Sequence, residues 1–166
     1  MKKYFLSLIM VSLLLFSCSS DKDENNMDDP STSIVGIWDA TELVINDATA
    51  SDEAIFGREI LDFLTDRNCT IITLRFNEDL TAEASNSANY VEVNATSSGL
   101  DIPCPSQSDV ESSTYTYDGS VVSFVDLDGA TVNVDVTIED DVMTVDAADL
   151  EIPNFNESGN LIFRKR

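Results

Sequence analysis

Ala130-Thr131-Val132-Asn133-Val134-Asp135-Val136-Thr137-Ile138 is the stretch that decides the fold. Five apolar side chains alternate with polar ones, so one face of a strand is set for burial and the other for water. The flanks extend the pattern. Ser120–Leu127 (SVVSFVDL) is a β-branched run held between Asp118-Gly119 and Asp128-Gly129, and Asp-Gly between apolar runs signals a hairpin. On the other side, Glu139-Asp140-Asp141 turns the chain into Val142–Val145. Further strands are expected over 34–46, 70–77, 80–93, 112–118 and 160–165. About eight strands with short connections favour an up-and-down antiparallel meander. Such a meander closes on itself because closure removes exposed edges. No internal repeat suggests a solenoid or propeller.

One segment breaks the period-two rhythm. Residues 51–66, SDEAIFGREILDFLTD, place Phe56, Ile60, Phe63 and Leu64 at helical spacing. Ser51 is suited to cap the N-terminus, and Asp52 and Glu53 stand where the helix dipole favours anions. A single helix between the first two strands, packed on the barrel, is the expectation. The longest irregular stretch expected is 94–110, carrying Pro103-Cys104-Pro105.

The chain's beginning has a different chemistry. Lys2 and Lys3 precede an apolar run of 13 residues, Tyr4 to Phe16, too short to span a bilayer but right for a signal-peptide core. It ends in Leu15-Phe16-Ser17-Cys18. This resembles the bacterial lipobox, with Leu15 and Ser17 matching and Phe16 bulkier than the usual small residue. The resemblance implies lipidation of Cys18, cleavage before it, and several acyl chains that together make a stable anchor. Residues 1–17 are thus expected to be a signal peptide. Residues 18–33 are expected to be the lipidated cysteine and a disordered acidic tether, since 19–33 (SSDKDENNMDDPSTS) hold one apolar side chain, Met27. Acidic residues just after the cysteine resemble surface-export signals of lipoproteins in the Bacteroidetes. The expected location is therefore the outer membrane, lipid-anchored and facing outward, with a periplasm-facing tether as the alternative. Residues 34–166 form one domain.

Loss of residues 1–17 removes two lysines and no acid, leaving 31 acidic against 7 basic residues. A field of that sign repels nucleic acid and anionic headgroups. Cys18 is assigned to lipid, which leaves Cys69 and Cys104 as an even pair in an oxidising compartment, predicting a disulfide. A thiol nucleophile lacks an activating imidazole, because the chain contains no histidine.

The order of motifs from Gly36 onward resembles lipocalin-like lipoprotein domains of the Bacteroidetes. Gly36-Ile37-Trp38 opens the first strand; a helix and a cysteine follow. Then comes Leu74-Arg75-Phe76-Asn77-Glu78-Asp79-Leu80-Thr81-Ala82, close to the family's hydrophobic-Phe-Asn-x-Asp-Gly-Thr hairpin. A second cysteine in a polar loop and alternating strands to a Phe-Arg-Lys tail complete it. Leu80 departs from the pattern by replacing the hairpin glycine. The resemblance implies a calycin-type, all-β barrel of about eight strands. It also implies Trp38 packed at the closed end and covered by a basic side chain near the last strand, Arg164 or Arg166.

Chemistry is sparse. The absence of histidine removes the commonest general base and metal ligand. No nucleophile elbow, phosphate-binding glycine loop or dinucleotide fingerprint is present. Asp126, Asp128 and Gly129 do not complete a calcium loop, since the glycine falls two residues early. No cofactor or metal is expected, and the protein is read as non-enzymatic. Three alternatives stand: a binder of a small, partly apolar molecule, a filled barrel that contacts another surface protein, and a hydrolase using paired carboxylates. For the binder, Glu42, Leu74, Phe76, Tyr115 and Tyr117 are the candidate cavity-lining residues. Trp38, Ala40, Glu42 and Val44 would share one face, and Ala82, Ala84 and Ala88 on a long third strand would leave room if they point inward.

Overall fold

Asp-Gly turns, a capped helix and alternating strands each form from local sequence, and their pairing closes the sheet. The computed structural model describes residues 34–97, 99–126, 128–150 and 158–166. The signal peptide, Cys18 and the tether (1–33) lie outside them. Among the described residues ten strands occur: β1 (Gly36–Val44), β2 (Ile72–Phe76), β3 (Thr81–Asn86), β4 (Asn94–Thr96), β5 (Gly99–Asp101), β6 (Asp109–Tyr117), β7 (Val121–Val125), β8 (Thr131–Glu139), β9 (Val142–Asp146) and β10 (Asn160–Lys165). Helix α1 (Asp52–Asp66) joins β1 to β2. Eight strands close an antiparallel barrel in the order β1-β10-β9-β8-β7-β6-β3-β2, while β4 and β5 form a separate hairpin.

The hairpins are made as the sequence predicts. The Asp118 carboxylate accepts from the amides of Ser120 and Val121 at 2.9 and 2.8 Å, and Gly119 takes a φ of 105°. Those amide donors hold the Asp118 carboxyl below the usual carboxylate range. Asp126 accepts from the amides of Asp128 and Ala130 in the same way, and Gly129 has φ 84°. In the β2–β3 turn, Leu80 takes the left-handed conformation, φ 63°, that the missing glycine would have supplied.

Three expectations need correction. The third strand ends at Asn86, not near residue 93. There the Asn86 carboxamide oxygen accepts from the Ala88 amide, Ser87 N–H donates to Ile71, and a 3-10 turn over Ala88–Tyr90 follows. The stretch expected to be irregular holds the β4–β5 hairpin, and β6 begins at Asp109. Helix α1 is rotated from its expected face. Ala54, Leu61 and Leu64 are buried, whereas Phe56 and Phe63 are 45% and 41% exposed. The helix lies against β1 and presents only a narrow stripe to it. Its N-cap is as expected, with the Ser51 hydroxyl accepting from Ala54 N–H.

Cys69 and Cys104 form the expected disulfide, with Cα atoms 5.4 Å apart. Arg67 reinforces it by donating to the carbonyl of Ile102, a buried residue of the same crossing loop. The loop between β5 and β6 is thereby fixed to the C-terminal end of α1.

Candidate functional site

Strand register identifies which side chains face the barrel interior. Trp38 lies opposite Leu74 on β2 and Lys165 on β10. Side chains directly opposite on paired strands share a face. The same face therefore continues through Leu74↔Ala84, Phe76↔Ala82, Ala82↔Ser113 and Ala84↔Glu111. Beyond β6 it runs through Tyr115↔Phe124, Tyr117↔Val122, Val122↔Val134 and Phe124↔Val132, then Val136↔Val145 and Phe163↔Met143.

The closed end is built on Trp38, which is fully buried and donates from its indole nitrogen to the Ile34 carbonyl at 2.7 Å. The cation over its ring is Lys165, with Nζ 5.0 Å from the ring centre, not Arg164. Parity explains the correction. Leu161 and Phe163 are buried on β10, so Lys165 follows them inward and Arg164 points to solvent. Arg166, the other candidate, instead grips the Asp39 carboxylate through Nε and Nη2, at 2.6–2.9 Å, and Thr73 donates to the same group. The opening glycine has a steric reason. Gly36 has φ 143°, and a Cβ there would stand 2.6 Å from Lys165 Cε. Glycine lets the lysine stem lie across to the indole, a requirement invisible in the sequence without its partner.

A second correction concerns Glu42. The β1–β10 register shifts between Ala40 and Glu42, a β-bulge at Thr41. The extra residue reverses the alternation, so Leu43 turns inward and is buried, while Glu42 and Val44 are exposed. Glu42 therefore does not line the interior. The other four candidates do face it. Phe76 and Tyr115 meet edge-to-face with centroids 5.0 Å apart, and the Tyr115 hydroxyl donates to the Asn77 carbonyl. Together they fill the space below the β2–β3 turn. Burial raises the Tyr115 phenol above its ordinary value, with the nearby Asp79 charge as the smaller cause. Leu74 and Tyr117 are half-buried, and the Tyr117 hydroxyl reaches the Gly119 carbonyl near the surface.

Burial is uneven around the interior. On β1, β9 and β10 the inward side chains Trp38, Ala40, Leu43, Met143, Val145, Leu161 and Phe163 are all buried. On β2, β3, β6, β7 and β8, Phe76, Tyr115, Val122, Val134 and Val136 are also inward and buried, but Leu74, Ala82, Ala84, Phe124 and Val132 are inward by register yet only half-buried, and Glu111 is exposed. One cause lies in β6. Its Tyr115–Tyr117 segment pairs with β7, but Asp109–Ser112 pairs only with β3. The wall thus parts between β6 and the end of β7, bridged by the Ser113 hydroxyl donating to the Val125 carbonyl at 2.9 Å. At the rim, Asp109 accepts from the Tyr90 hydroxyl and from Asn89, and these donors hold it below the usual carboxylate range. Sequence reasoning missed Glu111, Phe124 and Val132. Alternation marks Phe124 and Val132 as core, and only the neighbouring strands show that they are half open.

A closed eight-stranded up-and-down barrel with one helix after its first strand defines the class: a lipocalin-like β-barrel. No family model and no curated protein matches the chain. Two solved structures resemble it. A lipocalin-like protein from Bacteroides uniformis is 11% identical, with a TM-score of 0.42, over 81% of this chain and 99% of that one. An uncharacterized protein from Bacteroides eggerthii is 13% identical, with a TM-score of 0.40, over 80% and 98%. The fold assignment itself rests on this chain's own strand order and register.

Proposed function

We propose that the protein is a non-enzymatic, lipid-anchored barrel that binds a small, partly apolar molecule against its half-open inner wall. The observation that supports this is the local loss of burial in the interior: Leu74, Ala84, Phe124 and Val132 face inward yet remain accessible, beside small side chains that leave room. An eight-stranded barrel has an interior suited to its own side chains or to one small ligand, and here part of it is filled. The ligand-facing part is accordingly assigned to the half-buried side chains at the β3–β6–β7 side. The anchor rests on the leader, Leu15-Phe16-Ser17-Cys18, and the location on the acidic residues after it.

The test uses the full chain with Cys18→Ala, which is exported without lipid and can be purified without detergent. Native mass spectrometry is expected to show a co-purifying small molecule, lost in an Ala84→Trp variant that crowds those side chains. Bare protein that also ignores a panel of lipids and pigments would defeat the binding proposal. Separately, radiolabelled palmitate should enter the natural chain and not Cys18→Ala. Protease added to intact cells should digest the domain if it faces outward.

A further inference from the structure

Outside the barrel interior, the end of β1 is left with one strand neighbour. β1 pairs with β10 through Val44 but with β2 only from Gly36 to Asp39. From Thr41 to Val44 its second edge faces a groove of about 300 Å³ between the strand and α1, lined by Thr41–Ile45, Arg58 and Asp62. Among the described residues, no turn or loop backbone hydrogen-bonds to this stretch. A free strand edge is a template for another extended chain, and proteins usually cover such edges. Four residues of edge offer a partner roughly 13 Å of main-chain pairing surface.

The groove's charge selects what fits it. Arg58, the groove's basic side chain, is already held by the Asp47 carboxylate. Glu42 is exposed and makes no ion pair among the described residues, while Asp62, also exposed, feels Arg58 only through space because that guanidinium is bonded to Asp47. The β1 bulge is what places Glu42 here, beside the half-exposed Val44. A second copy of this chain is a poor occupant, because it would bring the same carboxylates and a net charge of −22 to the contact. We propose that this groove docks an extended, cationic polypeptide segment of a partner protein as an added strand on β1. Main-chain bonds would supply affinity; alternating basic and apolar side chains, set against Glu42, Asp62 and Val44, would supply specificity.

The probe is a fluorescein-labelled peptide of alternating lysine and valine, eight residues long, titrated against the unlipidated full chain by anisotropy. Saturable binding is expected. It should weaken at least tenfold in the Glu42→Lys, Asp62→Lys double variant, whose changes sit on exposed side chains. Equal charge with proline at every other apolar position should abolish saturation, since proline cannot donate to a strand ladder. Amide shifts should centre on Thr41–Ile45. The proposal is overturned if the proline peptide binds as well as the parent, which would mean charge attraction alone. It is equally overturned if the charge-reversed variant keeps its affinity, if the shifts map elsewhere, or if no binding occurs.

Discussion

Replacing Gly36 by alanine tests the packing that closes the barrel. Two costs are expected. The backbone at φ 143° lies where an L side chain is strained, at about 1–3 kcal/mol. The new Cβ would also stand 2.6 Å from Lys165 Cε, and moving the lysine off the indole forfeits a cation–π contact of about 0.5–2 kcal/mol. Their sum is about 1.5–5 kcal/mol. With an m-value of roughly 2 kcal/mol per molar urea, the midpoint should fall by about 0.7–2.5 M. Trp38 is the chain's single tryptophan, so its fluorescence reports the transition directly. The double variant Gly36→Ala, Lys165→Ala separates the terms. It removes the clash and keeps the backbone strain, so the two changes together should cost about 1 kcal/mol less than the sum of each alone. Arg164→Ala, which points to solvent, should change stability by less than about 0.5 kcal/mol. Additive costs, or an Arg164 effect as large as that of Lys165, would refute the claim that Gly36 exists to seat Lys165 over Trp38.

Reducing or removing the disulfide (Cys69→Ser with Cys104→Ser) should lower stability by about 4 kcal/mol on the loop-entropy estimate for a 36-residue loop, measured by urea unfolding. Leu43→Ala should cost about 2–4 kcal/mol while Glu42→Leu, on the outer face of the strand, should not destabilise appreciably. The carboxyls of Asp79, Asp109 and Asp118 are all held below their ordinary value, chiefly by side-chain donors at Asp79 and Asp109 and by backbone amides at Asp118. Their folded-state values are depressed, so their contribution is present above the unfolded value of about 3.9 and is lost as pH falls through the folded values. Acid unfolding followed by Trp38 fluorescence should therefore begin below about pH 4, and Asp118→Asn should blunt that pH dependence.

Much of the fold is legible in residues close together in the chain. Asp118-Gly119 and Asp128-Gly129 carry their own turn chemistry, Ser51 caps its own helix, and the alternation of 130–138 marks a one-sided strand. Cys69 and Cys104 are the even pair that remains if Cys18 is reserved for lipid, as the leader's resemblance implies, and they do form the disulfide. These features depend on neighbours within a few residues, or on counting. Leu80 is an instructive case, because the turn keeps its left-handed position although the sequence lacks the glycine that would signal it.

The site was legible only in part, because facing depends on register and register belongs to pairs of strands. In β1, Trp38 and Ala40 alternate as expected, but the bulge at Thr41 then exchanges Leu43 for Glu42, and no periodicity within β1 announces it. The same dependence put Lys165, and not Arg164, over Trp38: the inward parity of β10 is set by Leu161 and Phe163 against β9 and β1. Helix α1 carried enough apolar residues to bury more than one face, and contact with β1 chose the stripe of Ala54, Leu61 and Leu64. The sequence by itself determined the capped helix, the Asp-Gly turns and the alternating rhythm of a closing barrel, since those follow from local sterics and hydrogen bonding. Tertiary structure alone decided which side chains look inward, which of them stay half-buried and which edge of β1 goes unpaired, since a shift of one residue between strands reverses every face.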